Sequence, residues 1–146
     1  MSAYELTNTL LKKMSEMKYQ FIVVNFANAD MVGHTGNIEA TVKAIHVIDE
    51  CLSRIVTQTL ALGYTLLVTA DHGNAEQKIN PSTGEISTEH TSNPVPFIAV
   101  GKQYQGRYAK LQSGILADIA PTVLALLDIA KPDEMTGRNL LEEVKI

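Results

Sequence analysis

Tryptophan is missing from this sequence, and aromatic residues make up only 5% of it. A site that stacks sugars or bases on aromatic rings has little to build from. Cysteine occurs once, at Cys51, so no internal disulfide can form. That points to a reducing compartment and argues against a cysteine-rich zinc module. Basic residues are also in deficit, 12 Lys plus Arg against 16 Asp plus Glu, for a net charge of −4. Such a balance argues against a nucleic-acid partner held by a broad basic surface. No apolar run approaches the roughly 20 residues a membrane helix needs. The opening Met1-Ser2-Ala3-Tyr4-Glu5 is polar and carries an acid, unlike a signal peptide. The expectation is a cytoplasmic chain with no membrane and no nucleic-acid partner.

What is present is enough for a folded core. The 146 residues are 45% hydrophobic, which excludes a disordered chain and fits one domain. Ser2 to Glu5 has capping-box spacing, and Leu6, Leu10, Met14 and Met17 follow as an apolar stripe, so a first helix is expected with both methionines in the core. Residues 21–26, FIVVNF, read as a strand buried on both faces, as in a sheet covered by helices. Asn37 can cap a long helix whose buried face would carry Ile38, Val42, Ile45, Ile48, Leu52 and Ile55, with Gly63 as its stop. His46 is expected on the surface of that helix or partly packed, and Cys51 in the core as a small residue.

Residues 65–69 and 96–100 are two further candidate strands, with Pro94 and Pro96 placing the start of the second at an edge. Between them, residues 78–85 hold the turn sequence Asn-Pro-Ser-Thr-Gly. Asp118 can cap a helix running through Ile119, Val123, Leu126 and Leu127, and residues 139–146 suit a last helical turn. Apolar strands alternating with helices predict an α/β sandwich around a mostly parallel sheet.

Ligands of open parallel sheets bind beyond the carboxyl ends of strands, and there this chain concentrates its histidines. The first candidate strand runs into a loop with Asp30 and His34, and the second into Asp71-His72-Gly73. His90 lies in a loop just before the third. Asp30 and His34, four apart, face one way on a helical turn. Asp71 and His72 are adjacent and diverge, so each can serve one of two neighbouring ions, as in cation pairs about 4 Å apart in phosphoryl chemistry. Imidazoles mixed with carboxylates suit manganese or zinc, and no thiolate is near. Singly, each of these residues reads more simply as a cap or a loop residue. Three such loops at strand ends make a metal site the better reading.

At these residues the chain closely resembles the 2,3-bisphosphoglycerate-independent phosphoglycerate mutases. The resemblance is carried by residues 25–36, NFANADMVGHTG, by 69–76, TADHGNAE, and by 90–96, HTSNPVP. Residues 116–124, LADIAPTVL, and 136–138, TGR, fit as well, as does the opening. The wider group is the alkaline-phosphatase-like metalloenzymes, which implies that residues 1–146 form a single partial domain, part of a three-layer α/β/α sandwich. The family interconverts 3-phosphoglycerate and 2-phosphoglycerate in glycolysis through a phosphoserine, with two divalent ions, commonly manganese. By resemblance, Asp30, His34 and His90 would hold one ion, and Asp71 and His72 would supply part of the other's shell.

The family's nucleophilic serine and a further aspartate ligand lie upstream of the matching region, and its substrate-gripping arginines lie in an inserted domain. None of the seven serines here matches the nucleophile, so no catalytic residue is assigned and the second ion site is incomplete. Arg54, Arg107 and Arg138 are too few for a guanidinium cluster. The resemblance thus implies a C-terminal metal-binding part without mutase turnover of its own. The alternatives are a minimal metal-dependent phosphatase and a non-catalytic assembly module. The last would self-associate or pair with a missing N-terminal part through an exposed apolar edge.

Overall fold

The computed structural model describes residues 2–106 and 111–142, so Met1, Arg107 and the end of the tail lie outside the described residues. The chain divides into two compact units, Met1–Lys102 and Gln103–Ile146. The first holds helices α1 (Ala3–Ser15), α2 (Asn28–Gly33) and α3 (Ile38–Leu62), then strands β1 (Leu66–Thr69) and β2 (Phe97–Val100). The second holds helix α4 (Ile119–Leu126), entered through a 3₁₀ turn at Leu116–Asp118.

Helices α1 and α3 lie side by side. Tyr4 Oη donates to Glu50 Oε2 at 2.5 Å, Arg54 Nη2 to Asn8 Oδ1 at 2.6 Å and Gln58 Nε2 to Ser15 Oγ at 2.9 Å. Partner numbers rise together, so the two helices run in the same direction. The chain must therefore travel back from the level of Gln58 to Ile38, about 30 Å at the helical rise. Residues 16–37 make that return, with 21–26 in neither helix nor ladder and α2 following them.

The long helix starts and stops as its sequence predicts. Ala40 N donates to Asn37 Oδ1 at 2.9 Å, and Gly63 takes φ +77°, a left-handed stop that favours glycine. Its buried face is rotated from the expected one. Thr41, Ala44, Cys51, Ile55 and Thr59 face inward, while Ile38, Val42 and Ile45 are exposed. Thr41 buries because its hydroxyl donates to Asn37 O at 2.9 Å, so no polar group is left unpaired and its methyl packs. Thr7 does the same on α1, donating to Ala3 O at 2.8 Å. Ser2 makes no side-chain cap on α1, and Met17, beyond the helix end at φ +53°, is exposed, whereas Met14 is buried.

The described ladder is antiparallel: Leu66 pairs with Val100 and Thr69 with Phe97. The mostly parallel arrangement expected from the sequence needs residues 21–26 as a strand, and among the described residues they join no ladder. Nor are they buried on both faces. Ile22, Val24 and Phe26 are half-buried while Phe21 and Val23 are exposed, Val23 by 76%. Without neighbouring strands the apolar run has a partner on one side only. Antiparallel pairing sets the entry of β2 beside the exit of β1, so the loop 70–96 begins and ends at one end of the sheet. Within it, Asn80 Oδ1 accepts from Ser82 N at 2.9 Å and Ile79 bridges Ile86, which closes the expected turn.

In the second unit, Asp118 does not cap α4. Its carboxylate reaches back to accept from Ile115 N at 2.8 Å and Arg138 N at 2.9 Å, and these backbone donors hold its pKa below the ordinary carboxylate value. Thr122 Oγ1 donates to Asp118 O at 2.8 Å and accepts from Leu140 N at 2.9 Å, stapling the tail to α4. Residues 140–142 form a turn, and the remainder of the expected last helical turn falls outside the described residues.

Candidate metal centre

Helix α2 is a short helix of six residues. Asp30 and His34 stand one turn apart, so their side chains emerge on the same side, and Oδ1 of Asp30 lies 3.2 Å from Nε2 of His34. His90 arrives from the far end of the loop between the strands. Its Nε2 lies 3.1 Å from Asp30 Oδ1 and 3.0 Å from His34 Nε2. Three donor atoms thus form a nearly equilateral triangle.

The triangle has the chemistry of a cation site. His34 Nδ1 lies 2.7 Å from the carbonyl of Thr88. A carbonyl only accepts, so Nδ1 carries the hydrogen and, in the neutral ring, Nε2 offers its lone pair to the triangle. Asp30 is kept ionised. Partial burial pushes its pKa up, but the hydrogen bond from Asn74 and the electrostatic influence of the nearby His34, His90 and His72 imidazoles outweigh this and hold it below the ordinary value. Electron-rich atoms this close repel unless a proton or a cation lies among them. Around an ion held at about 2.1 Å, neighbouring ligand atoms stand roughly 3.0 Å apart in an octahedron and roughly 3.4 Å in a tetrahedron. The observed edges fit these figures.

Asp71 and His72 sit next to this triangle, not in it. The His72 ring stacks on His90 with centroids 3.7 Å apart, and its Nε2 lies 3.7 Å from Asp71 Oδ1. The Asp71 side chain is 88% exposed. His46 lies on the exposed side of α3, and Cys51 is fully buried and free. Arg54 and Arg138 are engaged elsewhere, Arg54 with Asn8 and Arg138 with Gln112 and the carbonyl of Ser113.

Residues that sequence spacing did not single out hold the ligands in place. Glu76 clamps both ends of the loop. It accepts from Asn74 N at 2.7 Å, from Asn93 Nδ2 at 3.0 Å and from the Thr91 hydroxyl, while Thr91 N donates to Gly73 O at 2.9 Å. The Thr91 bond leads the causes that bring the Glu76 pKa down to about 2, against the cost of partial burial. Asn74 donates from Nδ2 to Asp30 Oδ1 at 3.0 Å, and the buried Lys78 donates to Asn74 Oδ1.

Residues 1–131 match the family described as the metalloenzyme superfamily. The chain belongs to this superfamily. Among curated members, it is 51% identical over 144 residues to a 2,3-bisphosphoglycerate-independent phosphoglycerate mutase of Clostridioides difficile, covering 98% of this chain and 28% of that protein. It is 53% identical over 141 residues to the enzyme of the same name from Vesicomyosocius okutanii, covering 97% of this chain and 27% of that one. A crystal structure of Leishmania mexicana phosphoglycerate mutase at low cobalt concentration superposes with a TM-score of 0.83 at 27% identity, covering 95% of this chain and 28% of that one. This metalloenzyme chain therefore spans a little over a quarter of the length of the relatives it matches. The family carries divalent-metal chemistry, in keeping with the donor set of Asp30, His34 and His90.

Proposed function

We propose that this chain is the metal-binding part of a 2,3-bisphosphoglycerate-independent phosphoglycerate mutase acting on 3-phosphoglycerate and 2-phosphoglycerate. The observation that carries the reading is the triangle of Asp30 Oδ1, His34 Nε2 and His90 Nε2, with edges of 3.0–3.2 Å. In this reading these three residues hold one divalent ion, and Asp71 and His72 contribute to the shell of a second. Manganese is the preferred metal, because the donors are imidazole and carboxylate and no thiolate joins them. A bound ion supplies neutralisation of a phosphoryl group and a lower pKa for an attacking hydroxyl. The chain's own part is positional: Thr88 fixes the ring of His34, Glu76 fixes the loop that carries His90, and Asn74 fixes Asp30.

The 146 residues alone bind the ion and do not isomerise phosphoglycerate, because no serine is assigned as the nucleophile and the described arginines are tied up in packing. Residues 21–26 would join a parallel sheet completed by further chain, giving the three-layer sandwich, and their bare edge would otherwise favour self-association. Titration calorimetry with manganese tests the metal reading. Binding to the purified chain is expected, with affinity at least 100-fold lower in His90→Ala. Equal affinity in the variant would overturn it, and isomerisation by the 146 residues would overturn the division of labour.

A further inference from the structure

Lys78 is a buried lysine whose charge the proposed chemistry does not use. The residue is 7% exposed, and among the described residues its ammonium has no carboxylate in ion-pair contact. A buried ammonium is costly unless its hydrogens are satisfied. Here Nζ donates to Gly33 O at 3.1 Å and to Asn74 Oδ1. Both acceptors lead to the same place. Gly33 ends α2, the helix that carries Asp30, and Asn74 donates from its other side-chain atom to Asp30 Oδ1 at 3.0 Å.

An asparagine side chain fits its surroundings almost equally well in two orientations related by a flip of the amide. Beside an ammonium only one is acceptable, because Lys has no acceptor and the flipped amide would set NH₂ against NH₃⁺. The amide donor is then aimed at Asp30. The Asp30 oxygen that receives it is the one that faces both His34 and His90. Close packing leaves the asparagine little freedom: it is 4% exposed, and a Cβ built on Gly33 would lie 2.9 Å from its Cγ.

We propose that Lys78 is a positioning residue for the metal centre. Its ammonium locks Asn74 in the one amide orientation that donates to Asp30, and so fixes which carboxylate oxygen Asp30 presents to the ion. The inference rests on the metal reading above, and its sign separates it from a plain charge effect. A cation beside an ion site repels the ion, so electrostatics alone predicts that Lys78→Met tightens binding. Positioning predicts the reverse, because partners that orient a ligand are worth about 10- to 100-fold in metal affinity.

Calorimetry with manganese on the full chain is expected to give about tenfold weaker binding for Lys78→Met and for Asn74→Ala. The double variant should lose no more than either single one, since the lysine acts through the asparagine. Lys78→Arg, which keeps donors at the end of the stem, should recover most of the affinity and guards against a Met variant that does not fold. Tighter or unchanged binding in Lys78→Met, or losses that add in the double variant, would overturn the proposal. A readout without metal keeps the two readings apart. In amide NMR of the metal-free chain, the Asn74 side-chain protons should be shifted downfield and slow to exchange, and should lose both features in Lys78→Met. If the wild-type chain binds no divalent ion, the metal reading fails, yet these protons still decide whether Lys78 sets the asparagine; no change in them would refute it.

Discussion

Replacing Glu76 by glutamine removes one charge while keeping the shape of the side chain, and so isolates what the carboxylate does for the loop that carries His90. The group accepts from Asn74 N, Asn93 Nδ2 and the Thr91 hydroxyl, and its pKa stands at about 2 in place of the ordinary 4.5. A carboxyl held low in the folded state stabilises that state fully above its unfolded pKa. The contribution drains away as pH falls towards the folded value, here between about pH 4.5 and about pH 2. Unscreened, the difference is worth about 3 kcal/mol. The residue is exposed, and solvent screening reduces the contribution to about 1 kcal/mol. Urea unfolding of the metal-free chain, wild type against Glu76→Gln, should therefore show the wild type about 1 kcal/mol more stable at pH 7. More than half of that margin should be gone by pH 3. Carboxylates common to both proteins cancel in the difference. Two curves that stay parallel from pH 7 to pH 3 would refute the reasoning and reduce the Glu76 contacts to surface decoration.

Three further outcomes follow from the same contacts. Gly33→Ala places a methyl against Asn74, 2.9 Å from its Cγ, and should cost about 1–3 kcal/mol by overpacking; denaturant unfolding reads the stability and calorimetry a loss of manganese affinity. Asn37→Ala removes the acceptor for Ala40 N, and the urea midpoint should report a loss of about 1 kcal/mol with no change in metal affinity. Manganese binding should weaken as pH falls from 8 to 5.5, because protons compete for the imidazole lone pairs; equal affinity across that range would exclude the histidines as ligands.

Some of this was legible in the sequence and some was not, for physical reasons. The ends of α3 could be read because a cap and a left-handed stop depend on single residues, Asn37 and Gly63. Its buried face could not, because Thr41 and Thr59 count as polar in a hydrophobic pattern yet are buried, Thr41 once its hydroxyl finds the Asn37 carbonyl. Strands 66–69 and 97–100 were visible as apolar runs. Their direction was not, since composition carries no sign of whether a neighbour runs parallel or antiparallel. Asp30 and His34 could be joined by helical spacing alone. The meeting of His34 with His90, 56 residues further on, comes from contacts of the loop with the end of α2, among them the Thr88 carbonyl on His34 and Lys78 on Gly33, and His90 was named only because it stands in a polar loop before a strand. Asn74, Glu76 and Lys78 are silent in the sequence because their roles arise only when the loop closes on itself.

The bare stretch 21–26 leads directly into α2 and hence into Asp30. One corner of the triangle hangs from a segment whose backbone amides no ladder protects, whereas His90 hangs from a loop clamped by Glu76. The two sides of the site thus carry unequal entropic debts. Any strand that paired with 21–26 would hold Asp30 closer to its liganding position and raise the ion's affinity without touching a ligand. By reciprocity the ion would tighten that pairing by the same factor. Assembly of the sheet and loading of the metal would then be one coupled equilibrium, open to measurement from either end.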